Sequence, residues 1–242
     1  MAAFPLAVAV LILAAARPQR SVAVPVTQGA VMLAHDVSSS MASTDVAPSR
    51  LRAAARAAQA FARSVPASVR VGLLQFNQRP VVLQTPSTDH ELTVQALTQL
   101  RAGGHTAIGD AINAAVSALS ALRSPSQKPV PGAIVLLSDG TSTRGADPLA
   151  AARRAAARHI PVYTVALGTA HGTIPFRHGS KTINAPVPVD PSELQAIGRL
   201  SGGQAFTAGN VNGLRAVYAH LAARIGQKHV KQQITTSFAG VG

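Results

Sequence analysis

The feature that most constrains this chain is an alternation, sustained from about Ala30 to Ile225, of short apolar runs with longer stretches of helical periodicity. Ala30 to His35 (AVMLAH) ends at Asp36, Ala133 to Leu137 (AIVLL) ends at Ser138-Asp139-Gly140, and Val162 to Leu167 (VYTVAL) is a third such run. Unbroken apolar runs of this length fit strands covered on both faces. Between them, Pro48 to Val65 places Leu51, Ala54, Ala58, Phe61 and Val65 at helical spacing, with arginines on the other face. Val69 to Phe76 and Val81 to Gln84 read as two strands joined tightly around Asn77 to Pro80, hence antiparallel.

The second half repeats the pattern after a weaker helix around Asp89 to Leu100, a Gly103-Gly104 break and a stronger helix from about Ala107 to Leu122. Asp147-Pro148 reads as an N-cap followed by proline at the first helical position. Thr169 to Val189, rich in Gly, Pro and His, reads as a hairpin or long loop, and Asp190-Pro191-Ser192-Glu193 as the capped start of another helix. A short strand near Gln204 to Thr207 and a helix over Val211 to Ile225 complete the chain's body. Together these predict an α/β fold, a doubly wound and mostly parallel central sheet with helices on both faces and one antiparallel edge strand.

The expected organisation is an apolar N-terminal segment with a basic flank over 1–20, a linker over 21–29, one domain over 30–226 and a tail over 227–242. Ala2 to Ala16 is uninterrupted apolar sequence that stops at Arg17-Pro18-Gln19-Arg20. It is shorter than the roughly 20 residues that span a bilayer, and no basic region precedes it as in a secretory signal. It reads as a truncated membrane anchor, with a signal peptide and a buried core helix as alternatives. An anchor would place the chain at the cell membrane, against the lipid bilayer, with the side occupied by the domain left open.

The absence of cysteine excludes disulfides, thiolate metal sites and cysteine nucleophiles. Aromatic residues at 3% exclude a nucleic-acid binder built on stacking platforms, so no nucleic-acid partner is expected. The net charge of +13 comes from dispersed arginines; Arg50, Arg52, Arg56 and Arg63 on one helix and Arg153, Arg154 and Arg158 on another read as solvated helix faces. With only nine carboxylates in the chain, each one becomes informative.

Doubly wound sheets bind ligands outside the carboxyl ends of their strands. There the chain offers Asp36, Ser38 and Ser40 after the first strand, Thr106 just before a helix, and Asp139 after a later strand. Oxygen ligands without cysteine or an obligatory histidine suit a hard cation, Mg²⁺ before Ca²⁺ or Mn²⁺. A haloacid-dehalogenase-like phosphotransferase would need a second acid two residues after the first, where this chain has Ser38. There is no Gly-x-Ser-x-Gly elbow, Walker A loop or dinucleotide fingerprint either, so an enzyme is not expected.

The ordered set Asp36-x-Ser38-x-Ser40, Thr106 and Asp139, with the stretches VMLAHDVSSSMASTDVAPSRL, GGHTAIGDAI, AIVLLSDG and PVYTVALGT, resembles the von Willebrand factor type A (VWA) family, in particular its membrane-anchored bacterial, Bat-like aerotolerance-type members. The resemblance runs from about Ala30 to Ile225 and implies a metal-ion-dependent adhesion site. It further implies that Ser38, Ser40 and Thr106 bind Mg²⁺ directly, that Asp36 and Asp139 act mainly through water, and that a protein partner supplies an Asp or Glu carboxylate. Some members occur alongside MoxR-type AAA+ ATPases, which makes such a system a candidate partner. Asp110, His105 and His35 are expected at the rim or behind the ligands; His35 departs from the family pattern, which is aliphatic there, and also reads as a neutral core histidine. Ser39 is expected to point away from the metal. The competing expectation is a metal-independent basic scaffold for an acidic partner or anionic lipid.

Overall fold

The computed structural model describes residues 19–25, 29–178, 181–225 and 227–233. In chain order the elements are β1 (Gln19–Pro25), β2 (Gly29–Asp36), a 3₁₀ turn (Ser39–Ala42), α1 (Arg50–Ser64), β3 (Val69–Phe76), β4 (Pro80–Ser87), α2 (His90–Thr98), α3 (Ile108–Ser120), β5 (Gly132–Ser138), α4 (Pro148–Ala157), β6 (Val162–Leu167), β7 (Thr173–His178), β8 (Lys181–Pro186), α5 (Ser192–Leu200), β9 (Ala205–Ala208), α6 (Val211–Ile225) and β10 (Gln227–Gln233).

The central sheet has the order β4-β3-β2-β5-β6-β9, parallel throughout except for β4, which runs antiparallel to β3 at one edge. β2 lies in its middle and is buried at every position. Successive side chains of a strand point to opposite faces, and here each face has its own core. Val31 and Leu33 pack with Leu51, Ala54 and Phe61 of α1, Val94 and Leu97 of α2, and Leu214, Tyr218 and Leu221 of α6. Met32 and Ala34 pack with Ile108 and Ile112 of α3, Ala151 and Ala155 of α4, and Leu194 and Ile197 of α5. This is the doubly wound architecture expected from the sequence.

Local chemistry sets the helix starts. Ser49 caps α1 by accepting from the Arg52 amide at 3.2 Å, and the Asp147 carboxylate caps α4 by accepting from the amides of Leu149 and Ala150, with Pro148 in the first turn. At α5 the expected arrangement is different. Asp190 accepts from the Ser192 amide, whereas Glu193 turns away to accept from the Ser142 amide at 2.6 Å.

Residues 27–226 form one compact unit; a second comprises the two ends of the chain, in which β1 pairs antiparallel with β10. The stretch expected as a linker thus holds most of β1, and the expected tail holds β10. Two short segments some two hundred residues apart carry no local turn signal, so their pairing is not legible from spacing. The Thr169 to Val189 stretch contains the antiparallel hairpin of β7 and β8.

The expected location, a membrane anchored through the N-terminal segment, is not supported. Among the described residues no helix is long and apolar enough to cross a membrane, and Ala2 to Ala16 lies outside them.

His35 sits on β2 beneath α6, fully buried, its Nε2 3.3 Å from the Tyr218 hydroxyl and its Nδ1 without a hydrogen-bond partner among the described residues. Burial pushes its pKa down to about 4 from the ordinary 6.5. The unfolded chain therefore takes up a proton that the folded one refuses, so this contribution to stability is present above pH 6.5 and is lost as the pH falls towards 4. His35→Leu removes the titration. Urea denaturation is expected to show the stability of the parent relative to the variant falling by about 2 kcal/mol between pH 8 and pH 5; a pH-independent difference would contradict a neutral, buried imidazole.

Candidate functional site

Asp36 is the last residue of β2, and Asp139 follows Ser138, the last residue of β5. Because β2 and β5 are adjacent and parallel, the two carboxylates arrive at the same edge of the sheet. Asp36 is fully buried: its Oδ1 accepts from the Ser38 amide at 2.7 Å and its Oδ2 from the Ser138 hydroxyl. Burial and the neighbouring Asp139 charge push its pKa up to about 7, against the pull of the Ser138 and Ser38 hydrogen bonds.

The two serines complete a short chain of oxygens. Ser38 Oγ and Ser40 Oγ are 3.0 Å apart, and Ser40 Oγ donates to Asp139 Oδ1 at 2.8 Å. Ligands about 2.1 Å from Mg²⁺ on neighbouring vertices of an octahedron stand roughly 3 Å apart, so these spacings suit such an ion. Among the described residues no three His, Cys, Asp or Glu side chains gather into a metal site. A cation at this edge would thus rest on hydroxyls and two carboxylates, a donor set that fits a hard divalent ion.

The loop carrying Thr106 is stitched to the same edge. The Gly103 amide donates to the Val37 carbonyl at 2.7 Å, and the Ser39 amide to the Gly104 carbonyl at 3.0 Å. Ser39 Oγ also donates to the Gly104 carbonyl at 3.1 Å and accepts from its amide at 3.0 Å. Ser39 is therefore the clasp between the two loops. Asn77, just past β3, donates to the Gly103 carbonyl at 2.9 Å and lies where a Cβ on Gly104, at φ +90°, would press. The buried Thr106 is held on the far side by Thr143, whose amide donates to the Thr106 carbonyl at 2.8 Å. The N-cap of α3 is Ala107, so Thr106 does not fill that role.

The other expected residues fall elsewhere. Asp110 accepts from the Ala146 amide at 3.2 Å and lies against Gly145, at φ +83°, fastening the loop before α4. His105 is exposed beside Thr106, and His35 is directed to Tyr218.

Arg50 corrects the sequence reading. Expected on a solvated helix face, it is fully buried, donating to Asp139 Oδ2 at 2.7 Å, to both oxygens of Asp45 at 2.8 and 2.7 Å, and to the Val187 carbonyl at 2.9 Å. Its position at the first residue of α1 aims it along the helix end towards the sheet edge, and the two carboxylates offset its desolvation. Burial would lower its pKa, but the hydrogen bonds to Asp45 and Asp139 raise it, so it stays charged. Asp45 is itself held by the amide and hydroxyl of Thr169; although burial pushes the other way, the bonds from Arg50 and Thr169 keep its carboxyl well below the usual range. An Asp five residues before an Arg, in a chain with nine acids, was the available signal for this pair.

The fold and this edge define a class of protein. The von Willebrand factor type A domain pattern matches residues 31–142. UPF0353 proteins are among its relatives: that of Mycobacterium sp. (strain KMS) is 36% identical over 241 residues, covering 96% of this chain and 71% of the relative, and that of Mycobacterium tuberculosis (strain ATCC 25177 / H37Ra) is 35% identical over 239 residues, covering 95% and 70%. The chain belongs to the family of the UPF0353 proteins and carries a von Willebrand factor type A domain. Among solved structures it is similar to BatB from Bacteroides thetaiotaomicron, with a TM-score of 0.70 and 23% identity over 81% of this chain and 98% of the other. It is also similar to proximal thread matrix protein 1 from the mussel byssus in a form with a zinc-occupied adhesion-site motif, with a TM-score of 0.60 and 15% identity over 87% of this chain and 49% of that one. At these identities the likenesses show the fold. VWA domains are generally interaction modules and often bind a divalent metal at this motif.

The Ser39 clasp is open to test. Ser39→Ala is expected to cost about 1 kcal/mol of stability and to speed amide hydrogen exchange over Gly104 to Thr106; unchanged exchange there would mean that the backbone bonds alone hold the loop.

Proposed function

We propose that this chain is a binding module that holds a divalent cation, Mg²⁺ in the first place, through Asp36, Ser38, Ser40, Thr106 and Asp139, and presents it to an Asp or Glu carboxylate of a protein partner. The observation that carries this reading is the run of Ser38, Ser40 and Asp139 oxygens at 3.0 and 2.8 Å along the edge where β2 and β5 end. Ser38, Ser40 and Thr106 would meet the ion directly, and the two carboxylates would balance its charge. Hydroxyl ligands leave a cation electron-poor, so a carboxylate from outside completes it favourably. The zinc-occupied motif of the mussel protein supports the assignment by likeness of fold. In this reading the module binds and does not catalyse.

Titration calorimetry of the parent chain with Mg²⁺ is expected to give a saturable isotherm that acetate, as a carboxylate mimic, tightens. The double variant Ser38→Ala, Ser40→Ala is expected to give none while keeping its circular dichroism; binding by that variant would remove the serines from the site.

The pH dependence follows from Asp36. Its carboxyl must lose a proton before it can balance a cation, and in the cation-free fold it does so near pH 7. Mg²⁺ affinity is therefore expected to rise roughly tenfold from pH 6 to pH 8, and Asp36→Asn is expected to flatten that rise. An affinity independent of pH in the parent would show that Asp36 takes no part.

A further inference from the structure

We propose that Arg50 is a resident counter-charge that keeps the cation site weak until a partner's carboxylate arrives, an inference that rests on the cation reading above. Asp139 faces two ways: its Oδ1 accepts from Ser40 on the side of the candidate ligands, and its Oδ2 accepts from Arg50. A cation sharing the Ser38, Ser40 and Asp139 oxygens therefore shares Asp139 with a guanidinium, one carboxylate's width away. Two positive charges across a single carboxylate in a buried setting repel strongly. That repulsion subtracts from the attraction of the cation to Asp139 and leaves the bound ion in need of a further anion.

The guanidinium is held in this position from several sides. Its Nε and one terminal nitrogen are held by Asp45, which the Thr169 amide and hydroxyl anchor in turn. The same terminal nitrogen also reaches the Val187 carbonyl, next to the hairpin of β7 and β8. Gly168 and Gly172 wall the cradle, and a Cβ on either would overlap the guanidinium. Arg50 is thus built to stay charged and to stay put, which a residue serving only to fill the core would not require.

Asp45 acts in the opposite sense. It takes up part of the Arg50 charge, so removing its own charge leaves more of Arg50 directed at Asp139. The two residues therefore give variants with opposite expected signs, a pattern that general loss of structure does not produce.

The experiment is Mg²⁺ titration calorimetry on the full chain, with and without acetate, for the parent, Arg50→Gln, Arg50→Lys and Asp45→Asn, each checked for folding by circular dichroism. Arg50→Gln is expected to bind Mg²⁺ at least roughly tenfold more tightly than the parent and to gain less from acetate. Arg50→Lys, which keeps the charge and loses the fork, is expected to stay near the parent, and Asp45→Asn to bind more weakly. Should Arg50→Gln not fold, the pair Arg50→Gln, Asp45→Asn is compared with Asp45→Asn alone, and tighter binding by the pair is the expected result. Binding by the parent with equal or weaker binding once Arg50 is neutral overturns the proposal and leaves the cation site standing. A lysine variant that binds as tightly as the glutamine one overturns it too, since the effect would then belong to geometry rather than charge. No heat from any chain, with or without acetate, overturns the cation reading itself.

Discussion

Everything at the candidate site depends on the parallel, in-register pairing of β2 with β5. Both strands are covered by helices on their two faces, so their polar ends can emerge only at the sheet's edge, and parallel pairing sends both ends to the same one. The pairing runs from Ala30 opposite Gly132 to His35 opposite Leu137. Asp36 and Asp139 then follow at nearly the same height. Were β5 antiparallel, Asp139 would lie at the far end of the sheet and there would be no site.

Two carboxylates brought this close are costly, and the surroundings offset that cost unequally. Burial and the Asp139 charge push the Asp36 carboxyl up to about 7, and the hydroxyl and amide that meet it, both neutral donors, offset only part of that. Asp139 is met by Ser40 and by the charged Arg50. One carboxylate is therefore paired inside the protein while the other keeps its need for a positive charge. In the proposed reading Asp36 stands between a proton and a cation, and the electrostatic balance at Asp139 is held by a residue from a different element, Arg50.

That residue also ties the site to the rest of the edge. Through Asp45 and Thr169, and through the Val187 carbonyl, Arg50 joins the segment after β2, the start of α1, the turn after β6 and the exit of the β7–β8 hairpin. Ser39 and Asn77 do the same for the Gly103-Gly104 loop. The loops at this edge are thus cross-braced by short polar contacts, as a preformed binding site requires.

The alternation of apolar runs and helical periods determined the class of fold, because burial of a strand on both faces and of a helix on one leaves different marks on the sequence. The spacing of Asp36, Ser38 and Ser40, with Thr106 and Asp139 at later element ends, was legible for the same reason: each lies at a position where a buried element must stop. Arg50 was not legible. Its i+4 and i+8 neighbours on α1, Ala54 and Ala58, are both core residues, but a charge on that face is sustained only by Asp45 and Asp139, partners that helical periodicity does not supply. Nor was the β1–β10 pairing, or the turning of Asp110 towards Ala146 and of Glu193 towards Ser142, since each joins segments distant along the chain. Sequence by itself determined which elements form and where they end, because those depend on local periodicity and capping. Tertiary structure alone decided which charges meet, because a buried ion's free energy depends on its distance to partners that the linear order does not record.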